Sequence, residues 1–526
     1  MSAGFDTVVI GGGHNGLVTA AYLAKAGQGV LVVERRELLG GAATTEEIFP
    51  GYRVDTGAHR LGGLSAQVVA DLGLTGHGLE VLAADPTVFT PVGNGIPLTL
   101  WRDPRETAES IRRISRPDAE AWVPFTELVG KAASFLQAAW TTTPPDVTGS
   151  DLGDLLAGAK LGLKLRGLGR KDMAEVMRIL PMSIYELLDE WFESDLVRGT
   201  VAASAIGGLC QGPMSGGTVY TFLHHHVGAG AGVIRPTERV RGGVGQLSEA
   251  IASACRQYGA EVRTGAPVER ILVDDGAAKG VVIAGGEEVR AERVVSSADP
   301  RRTFVHLLPP DAIGPDFARK IDHVRFRGVC AKVHLGLAGL PDFTCLPGAG
   351  PHLEGVISIS PSLEYLERAY DPVKYGAISD APYLELSIPS LADPGVAPAG
   401  KHLASIVMQY APFSLRDGAW DEAARNSIGD LVVRTLARYA PNIEAVVEGR
   451  HVMTPLDLQE RFGLTEGNIY HGEMTLDQLL FMRPVPGAAR YRAPVKGLYL
   501  CGAGTHPGGG VTGMPGLNAA RGILKD

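Results

Sequence analysis

The sequence predicts an α/β fold in which a Rossmann-like nucleotide-binding unit is assembled from three separated stretches of chain. The two long insertions between them form a second, discontinuous α+β unit. Three observations predict this. First, Phe5 to Ile10 is a β-rich run that ends in Gly11-Gly12-Gly13; Leu17, Ala20, Ala21 and Ala24 then recur at helical spacing, and a second apolar run, Val30 to Val33, ends on Glu34. That order is strand, tight turn, helix and parallel strand, a βαβ unit of about 30 residues. Second, the same texture returns near residue 245, where Leu247, Ala250, Ile251, Ala254, Cys255 and Tyr258 mark one helical stripe. Third, Gly497 to Cys501 reads as a strand, followed by a glycine-dense loop and a helix from Gly513. The nucleotide-binding unit is therefore expected to comprise residues 1–90, 235–300 and 455–526, and the substrate unit 91–234 and 301–454.

The remaining elements follow around this frame. Residues 65 to 100 read as a short helix and hairpin-like strands, and from Pro104 to Val227 the pattern is mostly helical, broken at Pro144-Pro145, Pro181 and Pro213. Beyond the stripe at 247 to 258, a strand over Glu261 to Thr264 precedes three β-rich stretches, Val268 to Val273, Gly280 to Ile283 and Glu288 to Arg290. Asp-Gly and Gly-Gly turn signals separate these three, and Arg293 to Ser297 is a further buried strand, so a meander is inserted into a parallel sheet. Ala331 to Leu337 and Leu403 to Gln409 read as strands of the second unit, and Asp421 to Tyr439 as a helix.

Composition narrows the function classes. At 526 residues with 45% apolar and 20% charged, the chain has ordinary globular character, which excludes a disordered or fibrous protein. Its 69 glycines show no Gly-X-Y period and signal many tight turns. A net charge of −9 offers no field to a nucleic-acid backbone, so no nucleic-acid partner is expected. The five cysteines, Cys210, Cys255, Cys330, Cys345 and Cys501, lie far apart without a C-x-x-C pair, which suits a reducing compartment better than a disulfide framework or a zinc site. No apolar run approaches about 18 residues and the start lacks the basic and apolar regions of a leader. A cytoplasmic protein is expected, with any membrane association made through a surface patch.

Gly11-x-Gly13-x-x-Gly16 sits between a predicted strand and a predicted helix, the context that gives this pattern its meaning. Gly11 permits the turn, Gly13 lets the backbone approach a pyrophosphate, and Gly16 lets the helix pack closely on the strand. The helix N-terminus supplies N–H donors and positive potential. Glu34 is placed to accept from ribose hydroxyls. This unit alone does not separate NAD from FAD.

Further residues carry a resemblance. Glu34 continues into Arg35-Arg36-Glu37-Leu38-Leu39-Gly40-Gly41, Asp55-Thr56-Gly57 follows, and Gly502-Ala503-Gly504-Thr505-His506-Pro507-Gly508-Gly509-Gly510 precedes the last helix. In these segments the sequence resembles the phytoene desaturase-like branch of the FAD-dependent oxidoreductases, within the amine oxidase superfamily. That branch includes carotenoid desaturases, related carotenoid ketolases and pyridine nucleotide-disulfide oxidoreductase domain-containing proteins. The likeness is tightest over residues 6–63 and 461–523, recognisable at 241–299 and weak in the helical insertion. It implies non-covalent FAD, with Gly11, Gly13, His14, Asn15 and Gly16 at the pyrophosphate, Glu34 at the adenosine ribose and Arg35 on the adenine side. Gly41, Ala42, Gly57, Ala58 and His59 would line the ribityl chain and flavin, Val268 would meet adenine through its backbone, and Gly502 and Ala503 would contact phosphate and ribityl groups. Val511, Thr512 and Gly513 would sit against the flavin ring. The implied reaction is hydride removal from, or flavin-assisted isomerisation of, a small apolar substrate of isoprenoid or polyene type. No second G-x-G-x-x-G follows an apolar strand, so oxygen, a quinone or another carrier is expected to reoxidise the flavin.

Candidate catalytic residues are fewer. Lys332 resembles the amine-oxidase lysine that holds a water at flavin N5; the competing reading is an edge-strand lysine pointing to solvent. Val511 stands where amine oxidases of similar pattern place an aromatic residue of their substrate cage, and an aliphatic wall suits an apolar substrate. His59 and His471 are candidate proton shuttles, against a structural, hydrogen-bonded role. His224-His225-His226 looks like a metal cluster, yet adjacent helical side chains point about 100° apart and cannot share one ion; no metal is expected, and one of the three could line the substrate cavity. Residues 160–171 (KLGLKLRGLGRK) are basic and leucine-rich and could rest on an anionic membrane surface, although the embedded glycines favour a solvated loop. Two rival functions are a flavin amine oxidase and a flavin-free prenyl-binding protein of the Rab escort and GDP-dissociation inhibitor type.

Overall fold

The computed structural model describes residues 4–145 and 152–526. Among them, a seven-stranded sheet runs in the order Val268–Asp274, Ala277–Ile283, Glu287–Ser296, Phe5–Ile10, Val30–Val33, Glu261–Arg263, with Leu498–Leu500 also paired to Glu287–Ser296. The pairings around Phe5–Ile10 are parallel. Val30–Val33 is buried throughout, as a strand covered on both faces requires. Helices His14–Lys25, Gly245–Gln257 and Met514–Ile523 cover one face through Leu17, Leu23, Leu247, Ile251 and Leu517. Phe304, Leu307 and Ile321 cover the other.

One strand stands where two were expected. Glu287–Ser296 is continuous: Glu287 to Arg290 pairs antiparallel with Gly280 to Ile283, and from Ala291 the same strand pairs parallel with Phe5–Ile10. No turn residue lies between Arg290 and Arg293 to interrupt it. Its burial passes from alternating, on the half-exposed meander, to fully buried at Val294 to Ser296 inside the parallel sheet.

The second seven-stranded sheet has the order Val447–Met453, Cys330–Leu337, His402–Gln409, Tyr383–Ser387, Val356–Ile359, Val88–Thr90, Leu98–Leu100. Val88–Thr90 belongs to it, so the chain enters this layer slightly before residue 90. A helical layer between Pro104 and His224 packs beside it. Its helix starts are set by side-chain caps: Ser115 accepts from Asp118 N–H, and Ser183 forms a capping box with Glu186. The basic segment at 160–171 is helical rather than a loop: Leu152–Gly167 is one helix, the chain breaks at Gly169 with φ 87°, and a second helix spans Arg170–Ile179. A glycine inside a helix costs only about 1 kcal/mol, which the surrounding Leu, Ala and Lys offset. Among the described residues no helix is long and apolar enough to cross a membrane.

Candidate functional site

One continuous cavity lies between the two sheets and is lined from both units. At its nucleotide end the strand Phe5–Ile10 delivers Gly11 to Gly13 into the turn before helix His14–Lys25, whose N-terminus has no side-chain cap and so leaves its first N–H groups for an anion. A Cβ on Gly16 would come within 2.2 Å of the Gly11 carbonyl oxygen, and one on Gly57 within 2.1 Å of the Ala42 carbonyl oxygen, so both close approaches require glycine. Glu34 is locked by backbone N–H groups, Gly12 donating to Oε2 (2.8 Å) and Arg36 to Oε1 (2.9 Å). His14 Nε2, Asn15 Oδ1 and His471 Nδ1 are buried polar atoms with no partner among the described residues, as expected of groups that meet a ligand. These features fit a dinucleotide cofactor.

Gly11, Gly13, His14, Asn15, Glu34, Arg35, Gly41, Ala42, Gly57, Ala58, His59, Val268, Gly502, Ala503 and Val511 all line this cavity, as do Lys332 and His471. Gly16, Thr512 and Gly513 do not. Gly16 serves helix packing; the Thr512 hydroxyl accepts from Met514 N–H (3.1 Å), and Gly513, at φ 72°, precedes helix Met514–Ile523. Arg35 donates to the carbonyls of Glu460 (2.9 Å) and Arg461 (2.6 Å), which ties strand Val30–Val33 to helix Pro455–Phe462. The glycine loop is held from behind by Arg483, fully buried, whose guanidinium donates to the carbonyls of Ala503, Tyr470, Gly472, Glu473 and Gln478. Burial lowers its pKa to about 10.

The other end of the cavity is built from side chains. Lys332 is 3% exposed, on a strand hydrogen-bonded along both sides, so the solvent-facing reading does not hold. Its ammonium donates to the carbonyls of Asp55 (2.6 Å) and Gly57 (2.5 Å), and burial lowers its pKa to about 8 against the nearby Asp55 charge. His59 Nε2 lies 3.2 Å from Glu385 Oε1, and burial lowers its pKa to about 4, so the ring is neutral near pH 7. Burial also disfavours charge on Glu385, but Arg60, the His59 hydrogen bond and Arg235 outweigh it and hold the carboxyl well below the usual range. His471, at φ 58°, has its pKa lowered by burial, and His506 is turned to the Ala139 carbonyl (3.0 Å), outside the cavity lining. Glu473 faces Arg325 and Arg327 instead of the cavity.

The three consecutive histidines diverge. His224 Nε2 meets the Gly509 carbonyl (2.8 Å), and His226 Nε2 accepts from Arg235 N–H (3.0 Å). His225 alone lines the cavity, with Nδ1 2.7 Å from the Ser204 carbonyl and Nε2 3.1 Å from the Tyr470 hydroxyl. Arg60, Arg235, Tyr383, Glu385 and Gln409 also line it and were not singled out in the sequence. Glu385 left a trace, a lone carboxylate in the apolar strand Tyr383–Ser387; Arg60 directly follows the flavin-type segment ending in His59.

The comparison with known proteins agrees with this geometry. The family model for flavin containing amine oxidoreductases matches residues 16–524. The chain belongs to that family. FAD is its cofactor, and the chain is an oxidoreductase. It is 38% identical to pyridine nucleotide-disulfide oxidoreductase domain-containing protein 2 of Rattus norvegicus, over 99% of this chain and 94% of that one. It is 30% identical to a limonene dehydrogenase component of Castellaniella defragrans, over 99% of this chain and 94% of that one. Among solved structures, an oxidoreductase from Methanosarcina mazei superposes with a TM-score of 0.61 at 17% identity, covering 99% of this chain and 100% of that one, which shows a shared fold.

Proposed function

We propose that this family member oxidises a C–H bond of an apolar, isoprenoid- or polyene-like substrate, by desaturation or by flavin-assisted oxidation or isomerisation, and does not act on amines. The charge of the substrate end carries this reading. Arg60 and Arg235 face one carboxylate, Glu385, while Lys332 is set against Asp55, and a chamber with this surplus of positive charge repels an ammonium ion. Val511, Val407, Leu61 and Ile469 give it apolar walls. The relative named for limonene dehydrogenase supports an isoprenoid skeleton.

Bound FAD supplies a two-electron acceptor. The chain's part is to hold the reacting carbon close, exclude water, and keep donors fixed. Lys332 spends two of its N–H groups on the carbonyls of Asp55 and Gly57, which leaves one for the chamber, where it can position oxygen or a water. His59 and His225 remain neutral near pH 7, since burial holds both near 4, so neither adds charge. Access for an apolar substrate would come from an anionic membrane surface on the cytoplasmic side, touched by the basic helices Leu152–Gly167 and Arg170–Ile179, on which Leu163 is exposed beside Lys160, Lys164 and Arg166.

Anaerobic mixing of the yellow protein with unsaturated isoprenoids and with primary amines tests the reading. Isoprenoids are expected to bleach the absorbance near roughly 450 nm and amines to leave it unchanged. Bleaching by amines alone would reverse the assignment.

A further inference from the structure

We propose that the side-chain-built end of the cavity is a carboxylate subsite, in which Arg60 receives the acid group of a substrate whose apolar body lies toward Val407 and Val511. The inference deepens the reading of this cavity as a substrate chamber and rests on it. It begins with an imbalance of charge. Arg235, 1% exposed, is satisfied on both terminal nitrogens. Its Nη1 donates to the Thr200 carbonyl (3.0 Å) and the Ser358 hydroxyl (2.9 Å), and its Nη2 to the Tyr383 hydroxyl (2.9 Å) and Glu385 Oε2 (3.1 Å). Tyr383 also donates to that same Oε2 (3.1 Å), and His59 Nε2 occupies Oε1 at 3.2 Å. Among the described residues that line this end, Glu385 is the one carboxylate, and its hydrogen bonds are taken by Arg235, Tyr383 and His59.

Arg60 is left over. Its guanidinium comes within 3.5 Å of Glu385 Oε1 at Nε, and no described residue accepts a hydrogen bond from it. The side chain lines the cavity and retains 22% exposure, so it remains accessible from the chamber. A guanidinium removed from bulk water without an acceptor is costly, and the planar fork matches a carboxylate in bidentate geometry. A phosphate monoester, with close to two charges, would call for a second free cation. Lys332 does not provide one cleanly, because its ammonium is engaged by the Asp55 and Gly57 carbonyls and faces the buried Asp55. The backbone of Arg235, at φ 53°, is in a left-handed conformation, and its N–H donates to His226 Nε2.

The test uses the FAD-loaded protein and three geranyl compounds of equal skeleton: geranate, geraniol and geranylamine. Binding is read from the perturbation of the flavin spectrum and from the shift in melting temperature. Geranate is expected to bind about 20-fold more tightly than geraniol, the value of hydrogen bonds to a charged group. Arg60→Gln should remove that preference while leaving geraniol affinity within about twofold, and Arg60→Lys should restore part of it. Equal affinity of the wild type for geranate and geraniol overturns the proposal, as does an Arg60→Gln variant that weakens both alike. Inorganic phosphate displacing geranate more effectively than acetate does also overturns it. If all three geranyl compounds fail, octanoate against octanol and benzoate against benzyl alcohol separate the two ideas. A retained acid preference keeps the carboxylate subsite and removes the isoprenoid reading, and no acid preference in any pair removes the subsite.

Discussion

The two ends of the cavity are made of different material. The nucleotide end is shaped by backbone: glycines that permit contacts no Cβ allows, a bare helix N-terminus, and a loop held at its carbonyls by Arg483. The substrate end is shaped by side chains, with Arg60, Arg235, Lys332 and Glu385 arriving from four distant parts of the chain. The first kind of site is indifferent to which neighbours surround it. The second depends on every charge having its counterpart.

The largest effect that would sharpen this contrast is expected from Glu385→Leu. It strips the counter-charge from buried Arg235 and from cavity-lining Arg60 and should lower unfolding free energy by about 3–5 kcal/mol in urea titration. The FAD content of the folded fraction should be preserved; flavin lost with stability intact would erase the distinction between the two ends. Next comes Gly16→Val, whose Cβ would meet the Gly11 carbonyl oxygen. FAD affinity, read by flavin fluorescence in titration of apoprotein, is expected to fall about 100-fold, or about 2.7 kcal/mol. A variant that still purifies with a full complement of flavin would show that the turn tolerates what its geometry forbids.

Acid should act mainly through buried imidazoles. Burial holds His14, His59, His225 and His506 near pKa 4, below an unfolded value near 6.5. Between those values the unfolded chain binds protons that the folded one refuses, so stability falls as pH drops from about 6.5 to 4, by up to about 1.4 kcal/mol per pH unit for each ring. Glu385, ionised below its ordinary range, adds to the loss at the lower edge of this window. A melting temperature flat from pH 7 to 4.5 would refute the neutral-histidine description. The smallest effect is expected from Lys332→Met. Reoxidation of photoreduced flavin by oxygen should slow about tenfold, equivalent to about 1.4 kcal/mol, and the wild-type break near pH 8 should vanish from its profile.

The same contrast decides how much could be read from the sequence. The βαβ start, the strands at Glu261 and Leu498 and the helix after Gly513 were legible because each depends on local periodicity and on contiguous glycines. For the same reason most residues named for the cofactor fall on the lining of one cavity, whereas Gly16, Thr512 and Gly513 shape the helix approaches without facing it. Glu287–Ser296 was divided in two because its burial pattern changes midway, and a change of pattern resembles a change of element. The cluster of Arg60, Arg235 and Glu385 was invisible for a different cause. No spacing rule joins residue 60 to residue 385; only the packing of the second sheet on the first brings them within 3.5 Å.

That undivided strand also fixes how the cofactor pocket can deform. Its leading half is laddered to the hairpin strand that pairs with Val268–Asp274, and its trailing half to the strand that ends at Ile10, just before Gly11. The cavity wall at Val268 and the turn at Gly11 to Gly13 are thus joined through a single sheet. Helix Pro455–Phe462, which lines the same cavity through Leu458 and Phe462, is outside that ladder and is joined to it by Arg35, so substituting that one side chain loosens this rim while leaving the sheet intact.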